Sequence, residues 1–190
     1  TQLLRAIIEE FGIEAARRDR LGYLSALNEF LLKTSAAGHD AVLIIDEAQD
    51  MTVECLEQVR LLSNLETDCQ KLLQIVLLGQ PELRKKLARP ELRQLAQRIT
   101  VRFHLQTLDP TDTAAYLQHR VAVASENAEA PTIRFDAEAV DEIFRFSRGT
   151  PRLINAISDK ALLAGYVYQT GQIDRRLAQL AASELLKEAL

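Results

Sequence analysis

The segment Ala41-Val-Leu-Ile-Ile-Asp46-Glu47 constrains this chain more than any other, because an unbroken aliphatic run leads straight into two adjacent acids. A continuous apolar run of that length reads as a strand buried on both faces, and such strands belong to parallel sheets covered by helices. It is too short to cross a bilayer, which takes roughly 20 apolar residues, and so is Ala161 to Val167. The strand's carboxyl end therefore delivers Asp46 and Glu47 to the kind of crevice in which open sheets bind ligands. Leu72 to Leu78 reads as a second buried strand, leaving through the polar turn Gly79-Gln80-Pro81-Glu82. Neighbouring parallel strands set such ends side by side, so Gln80 is placed to reach the same site as the acids.

The remaining pattern is mostly helical. Leu3 to Phe11 carries an amphipathic stripe ended near Gly12. A second helix runs to about Ala37 before Gly38, and Thr52 caps a third whose Leu56, Val59 and Leu62 share a face. Pro81 and Pro90 each open a short helix, at a position where no amide donor is needed. Thr100 to Leu105 reads as a third strand, with Val101, Phe103 and Leu105 alternating against Arg102, His104 and Gln106. From Asp109 onward the periods are wholly helical: Asp109, Asp136 and Pro151 each open a helix, and a last one follows Asp174. The expected architecture is α/β over residues 1–108, followed by a small all-helical domain over 109–190.

Composition narrows the function classes. With 23 basic and 27 acidic side chains the formal charge is -4, so no global positive field recruits nucleic acid. Cys55 and Cys69 form no C-x-x-C pair, and His39, His104 and His119 have no zinc spacing; a reduced cytoplasmic protein is the simple reading, with a Cys55–Cys69 disulfide as its alternative. Asp46 is suited to hold Mg²⁺ through water ligands, and Glu47 to orient or deprotonate a water for in-line attack on a phosphoryl group. The bland alternative is a pair of acids ending a strand in a solvated turn. The Gln80 amide suits a phosphate oxygen or the attacking water, and its alternative is a plain helix cap. Arg98 closes the Pro90 helix, and Arg152 lies in Gly149-Thr-Pro-Arg152 at a helix start; either guanidinium can neutralise phosphate charge. For each arginine alone a surface ion pair is the simpler account.

Taken together, VLIIDEAQD (Val42 to Asp50), LLSNLET (Leu61 to Thr67), LLQIVLLGQPEL (Leu72 to Leu83), RPELRQLAQRI (Arg89 to Ile99) and GTPRLIN (Gly149 to Asn155) resemble the AAA+ ATPases. Within them the chain is similar to the general secretion pathway protein A (ExeA-like) type, over essentially its whole length. The resemblance implies a truncated P-loop-type parallel sheet core with a helical lid, and ATP and Mg as cofactors. It makes Asp46 and Glu47 the Walker B acids, Gln80 sensor 1, Arg152 the sensor 2 arginine of the lid, and Arg98 an arginine finger. Arg93, one turn earlier, is the rival for the finger. Such a finger acts on the neighbouring subunit's nucleotide, so a homo-oligomer is implied. Secretion or envelope assembly proteins are the implied partners, and the implied location is a cytoplasmic domain tethered in its parent to the bacterial inner membrane.

One departure is decisive: no G-x-x-x-x-G-K-[ST] stands upstream of Asp46. The resemblance places that phosphate cradle before Thr1, so these residues are expected to be a piece of a longer ATPase that by itself binds nucleotide poorly. In the family the cradle's strand lies between Leu72–Leu78 and Thr100–Leu105. Its loss leaves unpaired edges, and the expectation is a rearranged sheet or strands paired between chains. Rival readings are an ATPase of DNA transposition, of pilus or exopolysaccharide/exosortase systems, or a noncatalytic interaction module.

Overall fold

The computed structural model describes residues 2–67, 70–125 and 133–188. Cys69, and with it the alternative of a disulfide to Cys55, lies outside them. The chain divides into two compact units, Thr1–Arg102 and Phe103–Leu190.

In the first unit, α1 (Gln2–Glu10) and α2 (Arg20–Ala36) precede strand β1 (Ala41–Ile45). Helix α3 (Val53–Leu62) leads to strand β2 (Leu73–Leu77), followed by α4 (Pro81–Leu87) and α5 (Arg93–Arg98). Asp19 starts α2 by accepting a 2.7 Å bond from the Gly22 amide, and Thr52 starts α3 by accepting one of 3.2 Å from the Cys55 amide. Strands β1 and β2 pair in parallel, Ala41 opposite Leu73 through Ile45 opposite Leu77. The apolar stripes of α1 and α2, Leu4, Ile7, Ile8, Tyr23, Leu27 and Leu31, pack with Leu62, Leu72 and Leu73 on one face of this pair. A second cluster joins Leu56 and Val59 of α3 to Leu92 and Leu95.

Three expectations for residues 1–108 are corrected. The strands are not buried on both faces: Ala41 and Leu73 are buried, whereas Val42 and Ile44 are 44% and 62% exposed, and Val76 is 41% exposed. Helices cover one face, and among the described residues nothing covers the other. Thr100 to Leu105 form no strand, and Val101, Phe103 and Leu105 are 80–85% exposed. An alternating sequence becomes a strand only when a neighbour satisfies its backbone, and no such neighbour stands beside it among the described residues. The sheet neither rearranges nor closes: β1 and β2 keep parallel order, with no third strand beside them among the described residues.

The second unit holds α6 (Pro110–Ala124), β3 (Arg134–Phe135), α7 (Ala137–Ser147), α8 (Pro151–Val167), β4 (Gln172–Ile173) and α9 (Arg175–Glu188). It is therefore not wholly helical, since β3 and β4 pair in parallel. The pair is two residues long, too short to leave a period in the sequence, and it sets the starts of α7 and α9 side by side. Asp109, Asp136 and Asp174 cap α6, α7 and α9 by accepting bonds from the amides of Asp112, Ala139 and Leu177. Ile143, Ile154, Ile157, Ala161, Ile173 and Ala178, none more than 2% exposed, form its core.

Glu142 of α7 lies within this unit with its side chain 5% exposed. Gln179 of α9 donates to its Oε1 at 3.0 Å, Arg145 donates to the same oxygen, and the Arg175 guanidinium stands 3.6 Å from Oε2. Burial works to raise the carboxyl pKa, but the Gln179 and Arg145 hydrogen bonds and the two positive charges hold it below its usual value. Both guanidinium groups reach solvent, so the buried charge is paired without burying its partners.

Candidate active site

The parallel pairing of β1 and β2 sets their carboxyl ends beside one another; two main-chain contacts continue the register past the strands, and a side-chain contact closes the turn after β1. Leu78 N donates to Ile45 O and Ala48 N to Leu78 O, each at 2.8 Å, while Glu47 N donates to Asp46 Oδ1, also at 2.8 Å. Between them the chain turns sharply. Glu47 sits in the left-handed region with φ 49°, a conformation that costs a residue bearing a Cβ, and a single 3₁₀ turn follows over Ala48–Asp50. Ala48 is fully buried and anchors that turn, leaving Asp46 and Glu47 exposed at the strand end.

Gln80 comes to the same ledge from β2. Its main-chain N–H donates to Gln49 Oε1 at 3.0 Å, and Gln49 Nε2 donates to Glu47 Oε2 at 2.6 Å. The Gln80 side chain makes no capping bond to α4, so the plain helix-cap account of this residue is not what the structure holds. Gln49 and Lys86 are the residues that sequence reasoning missed. The Lys86 ammonium, projecting from α4, donates to the main-chain oxygens of Gln49 and of Met51, the latter at 2.6 Å. Gln49 stands inside the quoted run Val42 to Asp50, but only tertiary structure shows that its two ends touch different strands.

Two exposed carboxylates one residue apart are hard oxygen donors of the kind Mg²⁺ takes. Asp46 keeps Oδ2 outside the bond to Glu47 N, and no ion pair occupies either acid among the described residues. Among those residues no cluster of three or more His, Cys, Asp or Glu is built to cage a metal. The chemistry of the pair therefore fits Mg²⁺ held through water ligands and does not fit a protein-only metal site.

Arg98 ends α5 and Arg93 begins it, both exposed and without an ion-pair partner among the described residues. Arg98 does lower the Glu66 pKa slightly, behind the larger effect of the Lys71 hydrogen bond. In the other unit, Arg152 is exposed in the first turn of α8. Gly149, φ 74°, holds the turn before it. A Cβ there would lie 1.8 Å from the Leu108 carbonyl oxygen, and Leu108 N donates to Gly149 O at 2.9 Å, so the two backbones touch. The surface ion pairs that offered the simpler account of Arg98 and Arg152 are absent among the described residues.

The model of the AAA domain family matches residues 1–87. Over 184 residues, 96% of the chain, the sequence is 45% identical to General secretion pathway protein A of Aeromonas hydrophila. Over residues 1–87 the chain matches the AAA domain family, and it has an AAA+ fold. It spans 33% of that relative's length. The AAA+ fold is shared with the ORC2 protein of Aeropyrum pernix in its ADP form, at a TM-score of 0.68 and 15% identity, covering 96% of this chain and 49% of that one. It is shared also with Cdc6p of Pyrobaculum aerophilum, at a TM-score of 0.62 and 18% identity, over 90% of this chain and 45% of that one. The matched residues 1–87 include both adjacent strands and the acids and Gln80 that follow them.

Proposed function

We propose that these residues form the acid-pair, sensor and lid portion of an ATPase that hydrolyses ATP to ADP and phosphate in the service of bacterial secretion. The observation that carries this reading is the parallel β1–β2 pairing, which delivers Asp46, Glu47 and the Gln80 backbone to one exposed ledge joined by hydrogen bonds. Asp46 would hold Mg²⁺ through water ligands. Glu47 accepts a hydrogen bond from the attacking water and takes its proton as the O–P bond forms. Gln80 hydrogen-bonds the γ-phosphate or that water, so its position reports whether the phosphate is there. Mg²⁺, when bound with ATP, neutralises the charge of the phosphate oxygens.

Arg152, at the start of a lid helix, serves as sensor 2, and Arg98 as a finger toward the nucleotide of a second copy, with Arg93 the alternative. A homo-oligomer follows from that role, and secretion or envelope assembly proteins are the objects of the work. The identity with General secretion pathway protein A supports the secretion setting and, with it, a domain on the cytoplasmic side tethered to the inner membrane. No helix among the described residues is long and apolar enough to cross a membrane. These 190 residues carry no G-x-x-x-x-G-K-[ST], and alone they bind nucleotide weakly, lacking a Gly-rich run of amides and a lysine for the β- and γ-phosphates.

Magnesium-dependent ATP turnover by the full-length natural product tests the reading. Glu47→Gln should bind ATP and lose hydrolysis by about 10²-fold or more, and equal rates would remove Glu47 from the mechanism. Arg98→Ala should be equally slow alone and regain activity when mixed with Glu47→Gln, because the finger acts between copies. Failure of that rescue in a stable mixed assembly would reassign Arg98.

A further inference from the structure

We propose that Gln49 is a positioning residue: a two-ended amide that holds the Glu47 carboxylate and ties its orientation to the end of the neighbouring strand at Gln80. What Glu47 does chemically rests on the ATPase reading above; the bridge itself rests on geometry alone.

The direction of the bridge is settled by chemistry. A main-chain N–H only donates, so the Gln80 amide must face the carbonyl oxygen of the Gln49 side chain, as it does at 3.0 Å. The NH₂ end is thereby turned the other way, where it meets Glu47 Oε2 at 2.6 Å. An ionised carboxylate only accepts, so every member of the chain Gln80 N–H, Gln49 amide, Glu47 carboxylate is matched, and flipping the amide would break both bonds at once.

Three further features make this an arranged contact rather than a passing one. Lys86 donates to the Gln49 main-chain oxygen and, at 2.6 Å, to that of Met51, pinning the turn from which the Gln49 side chain projects. Ala48 N bonds Leu78 O at 2.8 Å, so the turn is also fastened to the strand that ends at Gln80. Gly79 supplies the room: a Cβ on that residue would stand 2.7 Å from Gln49 Oε1, closer than side-chain carbons approach oxygen. Glycine is needed there for the close approach of an amide.

The consequence is a route by which phosphate at Gln80 reaches Glu47. Whatever moves the Gln80 backbone moves the Gln49 amide, and the amide either retains the carboxylate or releases it toward water. Gln49 touches neither substrate nor metal in this account; it acts through Glu47.

Two experiments test this, one of which needs no hydrolysis. In ¹H–¹⁵N NMR spectra of the protein, Glu47→Gln should shift the Gln49 side-chain NH₂ and the Gln80 main-chain amide together. In Gln49→Ala the Gln80 amide should stop following Glu47. Gly79→Ala should produce the same silence with Gln49 still present, because the added methyl would stand 2.7 Å from Gln49 Oε1; it also meets Leu83 Cδ2 at 3.0 Å, so Gln49→Ala is the cleaner variant. A Gln80 amide that ignores Glu47 in the wild type, or follows it undiminished in Gln49→Ala, overturns the bridge. In the full-length natural product, Gln49→Ala should lower kcat by about 10²-fold, the effect of misplacing a catalytic group by about 1 Å, while KM for ATP changes little. Unchanged kcat beside an inactive Glu47→Gln overturns the positioning role and leaves the ATPase reading standing. If the wild type turns over no ATP, it is the ATPase reading that fails, and the NMR result still decides the bridge.

Discussion

The two units of this chain solve the problem of a hydrophobic core differently. The second, Phe103–Leu190, closes its core with its own helices: Ile143, Ile154 and Ile157 are at most 2% exposed, and each helix satisfies its backbone internally. The first, Thr1–Arg102, builds a sheet of two strands, buries one face of it, and leaves Val42, Ile44 and Val76 open on the other. Helical order needs only the helix itself and one packed stripe. Strand order needs a neighbouring strand, and an edge or face left uncovered shows as unpaired backbone or exposed apolar side chains, so an α/β unit shows its deficits in a way that a helical unit does not.

Paired core substitutions sharpen the contrast most. Ile154→Ala, at a fully buried site of α8, should cost about 3 kcal/mol in urea unfolding. Ile44→Ala, in the middle of β1 but 62% exposed, should cost less than about 0.5 kcal/mol. Comparable losses would mean that the open face of the sheet is covered in solution. The buried carboxylate of the second unit gives the next effect. Its folded pKa lies below the unfolded value, so the stability it contributes is complete above the ordinary carboxylate range and disappears as pH falls through the depressed folded value. Glu142→Gln should therefore lower Tm at neutral pH and flatten its decline in acid. An acid limb as steep as that of the wild type would show that other groups drive it. Phe103→Ser, in the segment that alternates like a strand, should change stability by no more than about 0.5 kcal/mol in either direction, because its ring is 85% exposed. A loss of 2 kcal/mol or more would restore a strand there.

Much of the molecule was legible in the amino-acid order because the deciding interactions are local. Asp109, Asp136 and Asp174 announce helix starts by a side-chain oxygen within three residues of the amide it accepts from, and those caps are present. The apolar runs ending at Asp46 and before Gln80 announce strands by length alone. The segment Thr100–Leu105 has as good a strand pattern, yet it is irregular, since alternation states which face a residue prefers and says nothing about whether a partner edge exists. Nor does the pattern around residue 142 single out Glu142, whose Gln179 partner is 37 positions away.

At the candidate site the division is the same. The sequence alone determined that two acids follow an aliphatic strand, that Gln80 follows another, and that arginines stand at Arg98 and Arg152, because these depend on residue type and on spacing along one stretch of chain. Tertiary structure alone decided that only one face of the β1–β2 pair is covered and that Gln49 joins Glu47 to Gln80 across 31 residues of chain. Contacts at that separation are fixed by which surfaces the helices α1, α2 and α3 leave free, and no local preference encodes that choice.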